Sequence, residues 1–446
     1  MEQLTINIVG GGLAGSEAAW QCLKLGAKVK LYEMRPKKST EAHKTGDLAE
    51  LVCSNSLKAM DVDTASGLLK YEMAKFDSLI VKAAYEAKVP AGGALAVDRL
   101  VFSKYIMDTL NSYETFELVN EEVTTIPDEK TLLQNNEAWI VASGPLTSES
   151  LTTFLNDLIE GEKKLHFYDA IAPVIDADSI DMDEVFRANR WDESEGGDYL
   201  NVPLNKEQYE EFIADVSAAE KMPLHAFEKI KYFESCLPIE VMIERGKDTL
   251  RFGPMKPVGL TNPKTGSRPW ANIQLRMETV QGSMYSMVGF QTKMKWPEQK
   301  RIFRKLPGLE NAEFFKLGSI HRNTYLHSPK VLNKNFSFKK NSRVFLAGQI
   351  TGVEGYTESA GMGLIAGRSA MGALQDNPFK LPPVDTIIGA LADYVINGGL
   401  GDFLPMNTNL GLLPTIPKTR GVSKKERKAM QAKRSRDSFD KYFSEL

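Results

Sequence analysis

The run IVGGGLAGSEAAW, which continues the apolar stretch beginning at Leu4, constrains this chain more than any other segment. Gly10, Gly12 and Gly15 fit the GxGxxG spacing of a turn that follows a strand and opens a helix. Glycine lets such a turn close tightly and lets backbone N–H groups approach a phosphate, which a Cβ would prevent. Gly11 lies inside the turn, and Leu13 and Ala14 begin the expected helix, whose N-terminus carries partial positive charge. A second expected strand, Val29 to Tyr32, ends at Glu33, about 20 residues on, where a carboxylate can accept from ribose hydroxyls. Strand, glycine turn, helix and acid together predict a bound dinucleotide. Because the first apolar run flows straight into this turn, it is expected to be a structural strand and not a removable leader.

Further helical periodicity covers Gly67 to Lys88 and Asp98 to Ser112, and short β-rich runs follow at Thr115 to Val119 and Ala138 to Ala142. Strands alternating with helices predict an α/β class, a Rossmann-like doubly wound sheet. After FYDAIAPVI the texture becomes acidic and loop-rich, then dense in Pro, Gly, Arg and Lys. The expected organisation is a dinucleotide-binding domain in two parts, 1–175 and 321–446, with a smaller α/β domain inserted at 176–320. With 42% apolar and 25% charged residues, neither disorder nor a fibrous class is indicated. No run of about 18 apolar residues occurs, so no membrane span is expected and the cytoplasm is the default location.

The far end, AGQITGVEGYTESAGMG, combines a strand end, a second glycine turn (Gly348, Gly352, Gly355) that runs to Tyr356, and the N-terminus of a small-residue helix, ESAGMGLIAGRSAMGAL. Such a unit can face the ribityl and flavin portion of FAD while the first unit holds the ADP half, and a plain NAD enzyme has no need of it. The three cysteines, Cys22, Cys53 and Cys236, are too few and too scattered for a disulfide framework or a zinc site. The five histidines show no metal-ligand spacing either, so no metal is expected. A lone cysteine is usually a small buried hydrophobe, but Cys53 in VCSNS and Cys236 in ESCLPIE have polar neighbours. Cys22, on the helix after the glycine turn, reads as packing. Net charge is −3, yet two segments are basic. Between Arg245 and Arg276, Lys247, Arg251, Lys256, Lys264 and Arg268 mix with Phe252 and Trp270, and Lys418 to Arg436 holds nine basic residues against the single acid Glu426. Either could be merely solvated; together they suit a polyanionic partner.

With these motifs in order, and with YEMRP, PAGGALAVDR, SGPLTS, RGKDTLRFGPMKPVGL, VGFQT and HRNTYLHSPKVLN besides, the chain resembles the TrmFO family of folate- and FAD-dependent tRNA uracil-5-methyltransferases. The related GidA/MnmG flavoproteins share the glycine fingerprint but are longer. The resemblance implies FAD as cofactor, methylenetetrahydrofolate as carbon donor, NADH or NADPH as reductant, and a T-loop uridine of tRNA as acceptor. It also implies that Cys236 adds to the uracil, that Cys53 is its catalytic partner in proton removal, and that Tyr356 lies beside the flavin. The residues themselves do not decide which cysteine is nucleophile and which is base. Two departures stand out: Gly361-Met362, where many members have Ala-Ser, and Lys293, where many have histidine.

The chemistry is consistent with that set. Carbon 5 of uracil becomes nucleophilic once a thiolate adds to carbon 6, and completing the methyl group needs a base and a hydride source at the same ring. Three readings stay open: RNA uracil methylation, on tRNA or alternatively on 23S ribosomal RNA; a small-molecule flavin oxidoreductase; and a nucleic-acid-binding protein with structural FAD. A monomer is the default, and the sequence does not address oligomeric state.

Overall fold

In the computed structural model the described residues are 3–40, 42–159, 165–170, 172–192, 196–222, 237–318, 320–398, 403–417 and 423–446. Of residues 158–159, 165–170, 320–324 and 424 only the backbone is described. Cys236 and the basic residues 418–422 lie outside the described set.

Strand β1 (Thr5–Val9) leads through the glycine turn into helix α1 (Leu13–Lys24) and then into β2 (Lys28–Tyr32). Where the helical period predicts one helix over 67–88, there are two, α2 (Ala65–Lys75) and α3 (Leu79–Glu86). The break sits at Asp77, which takes a φ of 62°, and at Ser78, whose hydroxyl accepts from the N–H of Val81. Asp and Ser offer the backbone local hydrogen bonds that compete with helix, and here they restart it in a new direction. Helix α4 (Arg99–Asn111) follows, capped by the Asp98 carboxylate, and then β3 (Phe116–Val119) and β4 (Glu137–Val141).

The chain next builds an antiparallel sheet from β5 (Val174–Asp176), β6 (Phe186–Arg187), β7 (Leu200–Leu204), β8 (Ala271–Met277), β9 (Met284–Met287) and β10 (Phe314–Lys316), in the order β6-β7-β8-β9-β5-β10. Helix α5 (Lys206–Ala218), started by an Asn205–Gln208 capping box, buries Phe212 against it. Val202, Ile273, Leu275 and Met287 fill a core separate from that of the first sheet.

Strands β11 (Ser337–Phe338) and β12 (Asn341–Leu346) return to complete the first sheet, ordered β11-β12-β4-β1-β2-β3. All of its pairs are parallel except β11 with β12; Ile6 of β1, for example, faces Val29 on one side and Ala138 on the other. Its central strands β1 and β4 and the end of β12 are buried on both faces, as a sheet covered by helices requires, while β2 alternates buried Val29 and Leu31 with Lys28 and Lys30. Helix α6 (Tyr356–Leu374) lies on it beside α1, and α7 (Ile387–Asn397) packs near α2.

The basic C-terminal run forms helix α8 (Lys424–Ser444), opened by a Ser423–Glu426 capping box. It buries Ala432, Ser435, Phe439 and Tyr442 at helical spacing, with the Phe439 ring edge-on to Phe76, while Lys425, Lys428 and Lys433 face solvent. The run is therefore one face of an amphipathic helix docked on the first core. No helix among the described residues is long and apolar enough to cross a membrane.

Helices α1 and α6 approach so closely that a methyl group on Gly363 would strike the carbonyl oxygen of Ala14. Gly361, two residues earlier, has only Leu69, Met73 and Ile388 at ordinary contact distance. Gly363→Ala should lower stability by about 1–3 kcal/mol. Gly361→Ala should be neutral or stabilising by up to about 1 kcal/mol, because alanine is the better helix former; chemical denaturation of both variants separates the two outcomes.

Candidate active site

The order of the first sheet reverses between β1 and β4, so the turns leaving these strands open a crevice at their carboxyl ends, where ligands bind in open α/β sheets. On one wall Gly10 holds a φ of 101°, and a Cβ there would lie 2.5 Å from the Ala142 carbonyl oxygen. Gly15 presses its own Cα face onto the Gly10 carbonyl. Gly12 is the N-cap of α1; no side chain caps the helix, no acid sits in its first turn, and a Cβ at Gly12 would meet nothing within 4 Å. The N-terminal amides of α1 thus face open space, an arrangement suited to a pyrophosphate. Gly10, Gly12, Leu13 and Ala14 line a cleft of about 1280 Å³, open mouth included, with Ser143 and Gly144 opposite.

Glu33 also lines this cleft, but its oxygens are engaged. Oε2 accepts from the Gly11 N–H at 2.9 Å and from Arg35 Nη2 at 3.1 Å, and Oε1 accepts from the Arg35 N–H and Nε. Burial acts to raise the carboxyl's pKa; the hydrogen bonds and charge of Arg35 outweigh it and hold the group below the usual carboxylate range. Arg35, 3% exposed, donates onward to Glu50 Oε2 and to the carbonyls of Thr45 and Asp47. Glu50 in turn accepts from the N–H groups of Lys44 and Thr45. One buried guanidinium therefore holds Thr45, Asp47 and Glu50 against the end of β2. Arg35 was legible as a residue two places after Glu33 in YEMRP, but nothing in that spacing announces its partners.

The 36–52 loop brings Cys53 to the lining of the same cleft, where it meets Tyr356, the first residue of α6. The Tyr356 oxygen lies 2.9 Å from the Cys53 amide nitrogen, 3.1 Å from that of Ser54 and 3.0 Å from Cys53 Sγ. The loop is also tied to the second sheet. Asn55 donates to the carbonyls of Val97 and Met277, and Arg276, at the end of β8, donates to Asn55 Oδ1 and Ser54 Oγ. Arg99 donates to the Leu51 carbonyl and to Glu278. Lys316 Nζ donates to the Val52 carbonyl at 2.7 Å; burial, with Arg99 nearby, brings its ammonium down to about 8, Cys53 opposing. Thiol and phenol thus sit among three cations from α4, β8 and β10.

Of the sequence-predicted residues, Gly10, Gly12, Leu13, Ala14, Glu33, Cys53 and Tyr356 come together in one cleft, with Gly11 and Gly15 directly behind it. Gly348, Gly352 and Gly355 do not line it; they allow close contact with Ala14, Phe403 and Glu358 respectively. Cys22 is fully buried, and its thiol is pushed far up by desolvation, as a packing residue should be. Arg99, Arg276 and Lys316 were not singled out from sequence. Arg276 closes the basic stretch but is 8% exposed and turned inward. On the outer side of β8, Arg251 stacks 3.8 Å over Trp270, beside exposed Phe252, and a second concavity there includes Lys256 and Arg268. Among the described residues no cluster of potential metal ligands occurs.

A family profile described as "Glucose inhibited division protein A" matches residues 5–378. The chain is 51% identical over 441 residues to the methylenetetrahydrofolate–tRNA-(uracil-5-)-methyltransferase TrmFO of Citrifermentans bemidjiense, covering 99% of each chain. It is 48% identical to the TrmFO of Bacillus subtilis, covering 98% of each. Among solved structures, Aquifex aeolicus GidA shares the fold with a TM-score of 0.69 at 18% identity, over 99% of this chain and 74% of that one.

Arg35→Met should leave Glu33 and Glu50 without their common cation and cost more than about 3 kcal/mol. The sign of its pH dependence follows from the direction of the Glu33 shift. A carboxyl held below its unfolded value stabilises the fold above about pH 4.3, and that contribution is lost as pH falls through the folded pKa. In the variant burial prevails and the contribution reverses, so thermal unfolding between pH 4 and 7 should show the variant losing most at the neutral end.

Proposed function

The chain belongs to the TrmFO family, and on that premise we propose that it methylates carbon 5 of a uridine in the T-loop of tRNA. Methylenetetrahydrofolate supplies the carbon in this reading and FAD, reduced by NADH or NADPH, the electrons. The observation that carries it is a single cleft lined both by an uncapped, glycine-started helix N-terminus and by Cys53. The cleft fits FAD: the uncapped amides of α1's first turn, those of Leu13 and Ala14, would take the pyrophosphate, beside the glycine turn from Gly10 to Gly15. Glu33 would meet the ribose through oxygens it shares with Arg35 and Gly11, and Tyr356 would border the flavin end. Gly348, Gly352 and Gly355 would shape that end by close packing. When bound and reduced, FAD supplies the hydride equivalent that completes a methyl group.

The chain's own residues do the rest. Cys53 is held among Arg99, Arg276 and Lys316, which favour its thiolate. In this reading Cys236 adds to carbon 6 of the uracil and Cys53 assists removal of the carbon 5 proton. Residues 1–175 and 321–446 are read as the cofactor-holding domain and 176–320 as the inserted RNA-facing one, an assignment supported by their two separate apolar cores. The Arg251–Trp270 stack with Lys256, Arg268 and Phe252 suits a phosphate backbone and exposed bases. Strand β8 links it to the reacting loop, since Met277 at its far end accepts from Asn55. Seven residues at about 3.3 Å each place the patch roughly 20 Å away, within the reach of a tRNA arm. A cytoplasmic monomer is the state we assume for this reaction.

Mass-spectrometric mapping of modified uridines in tRNA and 23S ribosomal RNA, after incubation with the donor and reductant, should find 5-methyluridine in the tRNA T-loop; the modification on ribosomal RNA alone would refute the substrate. Cys53→Ala and Cys236→Ala should each lose methylation while retaining flavin absorbance. Lys256→Glu combined with Arg268→Glu should raise KM for tRNA about tenfold or more and flatten the salt dependence of binding by about two counterions. Flavin content and reduction should not change in that double variant.

A further inference from the structure

The Tyr356 hydroxyl is more tightly specified than a residue that merely borders a cofactor requires. A phenolic oxygen has two acceptor positions and one proton. Both acceptor positions are taken by backbone donors, the N–H of Cys53 at 2.9 Å and the N–H of Ser54 at 3.1 Å. Among the described residues the remaining contact is Cys53 Sγ at 3.0 Å. Because backbone N–H groups can only donate, the proton of Tyr356 is left to point at the sulfur. We propose that Tyr356 is a positioning residue for Cys53, donating its hydroxyl proton to Sγ and so holding that sulfur as a thiolate aimed into the cleft.

Other groups agree with that direction. Burial, with the neighbouring Cys53 adding to it, pushes the phenol well above its ordinary range, so it keeps its proton at any working pH. Hydrogen bonds to an ionised acceptor are roughly twice as strong as neutral ones. The charged groups facing the sulfur from the surrounding elements are Arg99 on α4, Arg276 on β8 and Lys316 on β10, with Glu278 paired to Arg99. The three cations supply a general field; Tyr356 supplies a directed contact, and it comes from the far end of the chain. A residue at the first position of α6 can reach Cys53 because Gly355, at a φ of 116°, starts the helix against the 53–54 loop. Sulfur and phenol are 303 residues apart in sequence, so the contact also makes the thiolate depend on correct docking of α6.

The inference rests on Cys53 being a reacting thiol, as proposed above, but its test does not use methylation. The rate of Cys53 alkylation by iodoacetamide is followed against pH in the full-length, FAD-loaded protein, by mass spectrometry of the Cys53 peptide, so that Cys22 and Cys236 do not contribute. Tyr356→Phe should move the midpoint up by about one pH unit, making alkylation about tenfold slower at pH values below both midpoints. Incorporation of 3-fluorotyrosine at position 356 keeps the shape and makes the phenol a stronger donor, and it should move the midpoint down. A folded, flavin-loaded Tyr356→Phe protein with an unchanged or lower midpoint would overturn the proposal. So would a fluorotyrosine protein whose midpoint does not fall, and that arm decides the matter if the Phe variant fails to fold. Should both profiles move as expected while Cys53→Ala still methylates tRNA, the hydrogen bond stands and the assigned role of Cys53 falls.

Discussion

The close approach of α1 and α6 is the constraint on which the rest of the site depends. Ala14 and Ala18 on one helix meet Gly363 and Gly367 on the other at backbone contact distance. Helices separated by side chains normally stand about 8–10 Å apart; removing the Cβ on one side brings the main chains together. Two consequences follow. The glycine turn after β1 and the first turn of α6, through Tyr356 and Ser359, come to line one cleft, and Tyr356 is carried to Cys53. Packing of this kind has little slack, because protein interiors resist even a methylene of added volume.

A second feature is the way charge is buried around that cleft. Glu33, Arg35 and Glu50 form a desolvated line of ion pairs in which every Arg35 donor and both Glu33 oxygens are used. Such a group adds little net stability over an apolar replacement but is costly to break. What it supplies is a definite path for the 36–52 loop, and so a definite position for Cys53. Around Cys53 itself the field is positive, from Arg99, Arg276 and Lys316. The cleft thus presents dipole-derived positive charge at the fingerprint end and side-chain positive charge at the thiol end, suited to an anionic dinucleotide and to a thiolate.

The loop from Cys53 to Asn55 is also where the two sheets meet. Asn55 and Ser54 are bonded to Met277 and Arg276 of the antiparallel sheet, while the Cys53 and Ser54 amides are bonded to Tyr356 of the parallel one's covering helix. A surface carrying the Arg251–Trp270 stack is joined to that loop by a single strand, β8. The likeness to GidA, at a TM-score of 0.69 and 18% identity, is one of fold.

The amino-acid sequence alone determined the βαβ start, the dinucleotide fingerprint from Gly10 to Glu33 and the parallel first sheet. These are local, and glycine spacing and hydrophobic period record local requirements directly. It also marked Cys53 and Tyr356 by motif, though not as partners. The tertiary structure decided what depends on contacts between distant residues. It broke the 67–88 helix at Asp77, turned the basic run after residue 423 into one face of a docked helix, and set Arg276 inward against Asn55. It gave Gly348, Gly352 and Gly355 packing contacts away from the cleft lining. It also filled the oxygens of Glu33 with Arg35 and the Tyr356 oxygen with two backbone N–H groups. Hydrogen-bond saturation is a count of donors and acceptors brought together in space, and residues 303 positions apart leave no mark of that count in their own neighbourhoods.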